Sequence, residues 1–275
     1  MLRLGLLVSV LAVLAPATAS ETVRLPIPSA AMKKAPYATL ILPDDYRKGD
    51  TRYPTLYLLH GWAGNDTDWA AKSSVGELAD TYHMIIVMPD GGHDKWYVDS
   101  PVSPDDKYAS YIGKEVVAFV DQRYRTLAHK HARAISGLSM GGFGALHIAL
   151  DHADTFGAAG SISGGVDPRP FPDSWNIAGA FGDPLRNAEY WNAQAIINNA
   201  QRFNGAGIAL AIDCGVDDFF MPGNRALHQR LLELKVAHDY TERPGGHNWD
   251  YWANAIKYQI LYFSTKFKDD KNAGR

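Results

Sequence analysis

A serine, a histidine and an aspartate at separate points along the chain could cooperate in one reaction. Ser139 lies between Gly137 and Gly141 in Ile135-Ser136-Gly137-Leu138-Ser139-Met140-Gly141-Gly142, a G-x-S-x-G pattern. A serine hydroxyl is a poor nucleophile at neutral pH. It needs a base to take its proton, and the base needs a carboxylate to orient it. His247, in Gly245-Gly246-His247-Asn248-Trp249, is the candidate base. The candidate acid is Asp217 or Asp218, in Cys214-Gly215-Val216-Asp217-Asp218-Phe219-Phe220, and spacing does not separate the two. Such a set attacks acyl carbonyls, and the tetrahedral oxyanion that results needs two N–H donors. The Met140 amide, directly after the serine, is one expected donor, and the Trp62 amide in His60-Gly61-Trp62 is the other. His60 and His93 also fall in strand-end loops. They come too early to be the base and are expected to line the site or pack beneath it.

These groups work only if the fold brings them together. Thr55–Leu59, Met84–Met88, Arg133–Ser136, Ala158–Ser163, Gly207–Asp213 and Ala237–Thr241 read as short strands, most of them apolar enough to be buried on both faces. Helical spacing marks 75–82 and the sets Tyr108/Ile112/Val116/Phe119, Phe143/Leu146/Leu150, Leu227/Leu231/Leu234 and Trp249/Trp252/Ile256/Ile260/Phe263. Strands alternating with helices imply an α/β fold with a mostly parallel central sheet and helices on both faces. Ser139 then sits on a strand–turn–helix. The acid and base candidates follow the last two strands, at the sheet end where such folds bind ligands. Tyr37–Leu42, set among prolines, is expected to be an edge strand. Residues 164–205, rich in Pro, Gly and Asn, read as an irregular insertion over one end of the sheet, within a single domain spanning 20–275.

With 46% hydrophobic and 21% charged residues and a net charge of −3, the 275-residue chain has the composition of a soluble globular enzyme. Its basic residues are scattered, so neither nucleic acid nor an anionic membrane surface is an expected partner. At the N-terminus, Arg3, the apolar run Leu4–Leu14 and Ala17-Thr18-Ala19 read as a signal peptide over residues 1–19, cut near Ala19. That implies a secreted or periplasmic mature chain, in which no segment is apolar for long enough to span a membrane. Cys214 is the only cysteine, which excludes an internal disulfide, and its apolar strand makes it a buried bystander. HExxH, P-loop, GxGxxG and CxxC signatures are absent, so no metal or organic cofactor is implied.

With these residues in view, the chain resembles the esterase D family of α/β-hydrolases, which includes S-formylglutathione hydrolases, tributyrin-type esterases, feruloyl and acetyl-xylan esterases and secreted mycolyltransferases. The resemblance spans about Tyr37 to Phe267 and rests on Leu58-Leu59-His60-Gly61, Arg133–Ala145, Phe156–Gly164, Asp213-Cys214-Gly215-x-x-Asp218-Phe219 and Gly246-His247-Asn248-Trp249. It implies an α/β-hydrolase fold and a triad of Ser139, Asp218 and His247, with the acid falling on Asp218 rather than Asp217. It also implies an oxyanion hole from Met140 and Trp62, a small-molecule ester or acylated saccharide as substrate, and a homodimer as a plausible assembly. Trp96, Tyr97 and Phe219 are the expected substrate contacts, an aromatic set suited to arylacyl esters. The function expected is a secreted serine carboxylesterase. Its rivals are an acyltransferase of the mycolyltransferase type, a thioesterase like S-formylglutathione hydrolase, and a non-catalytic binding protein on the same fold.

Overall fold

The central strands Thr55–Leu59, Ile85–Pro89, Arg133–Gly137 and Ala158–Ile162 are mostly apolar and are buried at every position, on both faces. In β3 (Thr55–Leu59), Tyr57 and Leu59 join one hydrophobic cluster while Leu56 and Leu58 join another on the opposite face. The structure, a computed structural model, describes residues 19–272. The expected signal peptide falls outside that range, but for its last residue.

The sheet continues through β1 (Glu21–Pro26), β2 (Tyr37–Leu42), β4 (Ile85–Pro89), β5 (Arg133–Gly137), β6 (Ala158–Ile162), β7 (Ala209–Gly215) and β8 (His238–Arg243). The eight strands lie in the order β1-β2-β4-β3-β5-β6-β7-β8. Every pair from β4 across to β8 is parallel, and β2 runs antiparallel to both β1 and β4. Tyr37–Leu42 is therefore not the edge strand that its prolines suggest. β1 covers it from Glu21↔Leu42 to Pro26↔Tyr37, and the prolines between the two strands sit in their connection.

One face carries α1 (Asp68–Lys72), α2 (Val75–Tyr82) and α10 (Trp249–Asn272), whose Trp69, Val75, Ala79, Ile256, Ile260 and Phe263 pack on Leu56, Leu58, Ile86 and Ala134. The other face carries α3 (Tyr108–Ser110), α4 (Val117–Arg123), α5 (Met140–Asp151) and α9 (Met221–Glu233). Between α3 and α4 the chain makes a wide π turn over Tyr111–Val116. The buried stripe runs on through Val116, Val117 and Val120, and Phe119 is only half-buried. Within 164–205 lie the short helices α6 (Ile177–Phe181), α7 (Ala188–Gln194) and α8 (Ile196–Asn199), whose Phe181, Trp191 and Ile196 join the same cluster as α5. No helix among the described residues is long and apolar enough to cross a membrane.

Candidate active site

The parallel strands all deliver their carboxyl ends to one rim. There β5 stops at Gly137 and α5 begins at Met140, leaving Ser139 in a turn at φ 56° and ψ −117°. That is a costly conformation for a residue with a side chain. It is held by the Ser139 N–H donating to the Ile162 carbonyl (2.9 Å) and the Gly165 N–H donating to the Ser139 carbonyl (3.2 Å). The flanking glycines are a steric necessity. A Cβ on Gly137 would lie 2.6 Å from the Gly141 backbone, and one on Gly141 would lie 2.5 Å from the His60 carbonyl oxygen.

Asp218 and His247 follow β7 and β8, neighbours in the sheet, and the two side chains meet. His247 Nδ1 lies 2.8 Å from Asp218 Oδ2, and His247 Nε2 lies 2.9 Å from Ser139 Oγ. The other Asp218 oxygen accepts the Phe220 N–H at 2.8 Å. The Asp218 side chain is wholly buried and that of His247 is 15% exposed, while Asp217 points to solvent. A carboxylate at Nδ1 fixes the ring proton there, which leaves the Nε2 lone pair facing the serine hydroxyl. Three rings enclose the imidazole: Phe219 at 4.3 Å, Trp252 at 4.9 Å and Phe220 at 5.4 Å between centroids. They restrict its rotation and thin the water around it.

Met140 is the first residue of α5, so its N–H has no acceptor within that helix. Neither it nor the Trp62 N–H has a backbone acceptor among the described residues. Both belong to segments lining the serine. Leu138, Ser139, Gly61, Trp62, Trp175 and His247 line a cleft of about 140 Å³ together with Gly64, Asp68, Trp249 and Trp252.

Two of the expected substrate contacts are misplaced. Trp96 and Tyr97 are 1% and 0% exposed and do not line the cleft. Each ring packs in the core with its polar handle satisfied by backbone: Trp96 Nε1–H donates to the Trp175 carbonyl (3.0 Å) and Tyr97 O–H to the His60 carbonyl (2.9 Å). Phe219 is 46% exposed beside His247 and stacks on Trp175 at 5.2 Å. The cleft is walled instead by Trp175, Trp249 and Trp252, which sequence reading assigned to an irregular segment and to a helix face. The position of Trp249 directly after His247-Asn248 is a signal that could have found it; Trp175 has none. His60 lies beneath the site at 1% exposure, and the exposed His93 ring sits against Trp62 at 5.3 Å. Cys214 is buried, and that burial pushes its thiol well above its usual range, as expected of a bystander. Among the described residues no group of three His, Cys, Asp or Glu side chains is arranged to hold a metal ion.

The chain is similar to known esterases. Residues 29–263 match the family model described as "Putative esterase". An esterase of Mycobacterium tuberculosis is 32% identical over 240 residues, 77% of this chain and 52% of that protein, so the chain spans about half the length of that relative. An acetyl esterase of Caldicellulosiruptor saccharolyticus is 29% identical over 221 residues, 74% of this chain and 82% of that protein. Among solved structures, a ferulic acid esterase superposes with a TM-score of 0.79 at 27% identity, over 91% of this chain and 99% of that one. The mostly parallel sheet with helices on both faces is the α/β-hydrolase fold that the sequence resemblance implies.

Proposed function

The chain belongs to this esterase family, and on that premise we propose that it is a secreted serine carboxylesterase cleaving short-chain acyl or aryl esters through an acyl-enzyme. The observation that carries the reading is the unbroken path from Ser139 through His247 to Asp218, at 2.9 and 2.8 Å, opening on a cleft. Ser139 Oγ attacks the ester carbonyl carbon while His247 Nε2 takes its proton. Asp218 stabilises the imidazolium that forms, and the Met140 and Trp62 amides receive the oxyanion. Collapse expels the alcohol, which leaves with the proton held by His247. Water then attacks the acyl-serine as His247 takes its proton, and the carboxylic acid departs with Ser139 restored.

The size and lining of the cleft support the substrate class. About 140 Å³ walled by Trp62, Trp175, Trp249 and Trp252 suits a short acyl group or a flat aryl group better than a long flexible chain. The signal-peptide pattern at the N-terminus supports secretion. Loss of p-nitrophenyl acetate hydrolysis in Ser139→Ala tests the mechanism, and a variant that keeps most of the wild-type rate contradicts it. A panel of acetyl, butyryl, octanoyl and feruloyl esters tests the substrate class, with octanoyl expected to be the poorest. Product analysis with an acceptor sugar present separates hydrolysis, the expected outcome, from acyl transfer.

A further inference from the structure

The Trp62 ring is 43% exposed and rests on the exposed His93 ring, a weak anchor, yet the residue's backbone N–H must hold a fixed direction if it is to meet an oxyanion. What fixes it lies underneath. His60 Nε2 is 2.9 Å from the Gly91 backbone nitrogen, a group that can only donate. Nε2 must therefore present its lone pair, and the ring proton resides on Nδ1. His60 Nδ1 in turn lies 2.8 Å from the Gly61 carbonyl oxygen, the acceptor such a proton requires. The Gly64 N–H donates to the same oxygen at 3.1 Å. That oxygen belongs to the peptide unit that carries the Trp62 N–H, and in a planar trans peptide the C=O and N–H point to opposite sides. Holding the oxygen down on the His60 side aims the N–H away from it.

Two further groups surround His60, Tyr97 and Asp90. Its own carbonyl accepts the Tyr97 hydroxyl at 2.9 Å. Asp90 Oδ1 lies 3.6 Å from Nε2 and its charge favours a proton there, but it is outside hydrogen-bond distance and accepts the Gly92 N–H at 2.8 Å, while the Gly91 N–H occupies the Nε2 lone pair at 2.9 Å. We infer that His60 is a positioning residue for the reaction: the Gly91 amide selects its Nδ1–H tautomer, and that proton, through the Gly61 carbonyl, orients the Trp62 oxyanion donor. The inference rests on the esterase reading given above.

Two substitutions divide the contacts of the ring. His60→Asn places an amide N–H near the Nδ1 position and can still donate to Gly61, but abandons Gly91. His60→Gln places an amide oxygen near the Nε2 position and can still accept from Gly91, but abandons Gly61. Removing a whole oxyanion donor costs about 10²–10³ in kcat, so His60→Gln is expected to lose about 10- to 100-fold in kcat with KM little changed. His60→Asn is expected to stay within about threefold of wild type, even where its Tm falls as far as that of His60→Gln. Equal losses of kcat in the two variants, or losses that follow Tm, overturn the inference, because a merely structural role predicts them. Should neither variant fold, 15N NMR of the imidazole nitrogens in the wild-type protein decides. A protonated Nδ1 and bare Nε2 on His60 support the inference, and the reverse tautomer overturns it. Failure of the esterase reading shows differently, as a wild-type protein whose ester turnover survives Ser139→Ala or is absent, and it takes the inference down with it.

Discussion

Asp213 and Asp218 leave the same end of β7, are 3% and 4% exposed, and have opposite surroundings. Asp213 accepts the Tyr251 hydroxyl and pairs with Arg243, whose guanidinium stacks over the Tyr258 ring. Burial pushes its carboxyl above the usual range, against the opposing pull of Tyr251 and Arg243. Asp213 and Arg243 line a cleft of their own, of about 350 Å³, but the partners of the carboxylate are a guanidinium and a phenol, which hold it without relaying a proton to a nucleophile. Asp218 faces an imidazole whose far nitrogen faces a hydroxyl in an open cleft. A buried carboxylate is thus structural or chemical according to what lies one step beyond its partner. The Asp213 cluster ties β7 and β8 to the first turn of α10; the Asp218 chain leaves one proton transferable.

The largest effect that can break this comparison is expected from Asp218→Asn. Amide substitution disturbs the imidazole tautomer, and kcat should fall by about 10³–10⁴-fold with Tm nearly unchanged. Steady-state kinetics and calorimetry on one preparation check both halves. Asp213→Asn should do the reverse, with kcat within about fivefold of wild type and about 1–2 kcal/mol of stability lost as Arg243 is left without its counter-charge. Denaturant unfolding reads that loss, and a collapse of kcat without one would erase the distinction.

The smallest effect concerns a third carboxylate on the same pair of strands. The hydrogen bond from Arg225, and then that from Tyr240, hold the Glu242 carboxyl down at about 2, against 4.5 for an unperturbed group. A carboxyl depressed in the folded state adds stability that is complete above its unfolded value and is lost as pH falls through its folded value. Glu242→Gln should therefore flatten the loss of stability between pH 4.5 and about 2. Arg225 is 57% exposed, so the difference should stay under about 1 kcal/mol. Thermal unfolding across that pH range measures it.

How much of this was legible in the sequence follows from the same contrast. Of the strands that carry the site, β5 and β7 are buried and mostly apolar while β8 is polar and half-exposed, and a polar or glycine-rich loop closes each of them. Ser139, the two aspartate candidates and His247 could therefore be placed at strand ends without coordinates. Choosing Asp218 over Asp217 rested on family resemblance, because adjacent residues on a turn differ only in which way they point. β1 has little signal in the sequence because Thr22, Arg24 and Pro26 form an exposed face and Glu21 interrupts the half-buried one. Trp96 and Tyr97 look like cleft residues in the sequence because they are aromatic and lie in a polar, proline-bearing loop over residues 92–107. Both residues adopt positive φ, at 52° and 53°, in a loop that returns to the core. The Tyr97 ring fits there because Gly91 offers no Cβ, which would lie 2.0 Å from it. Contacts of that kind are long-range steric facts with no local signature. The same holds for Trp175, which reaches the cleft from a segment with no periodicity.

The central claim is that Ser139 is a nucleophile activated through His247. Reaction with a fluorophosphonate, followed by peptide mass mapping, tests it most directly. The account predicts a single adduct on Ser139, formed rapidly in the wild type and Asp213→Asn and far more slowly in Asp218→Asn. A protein that is not labelled, or one labelled at another residue, would contradict it.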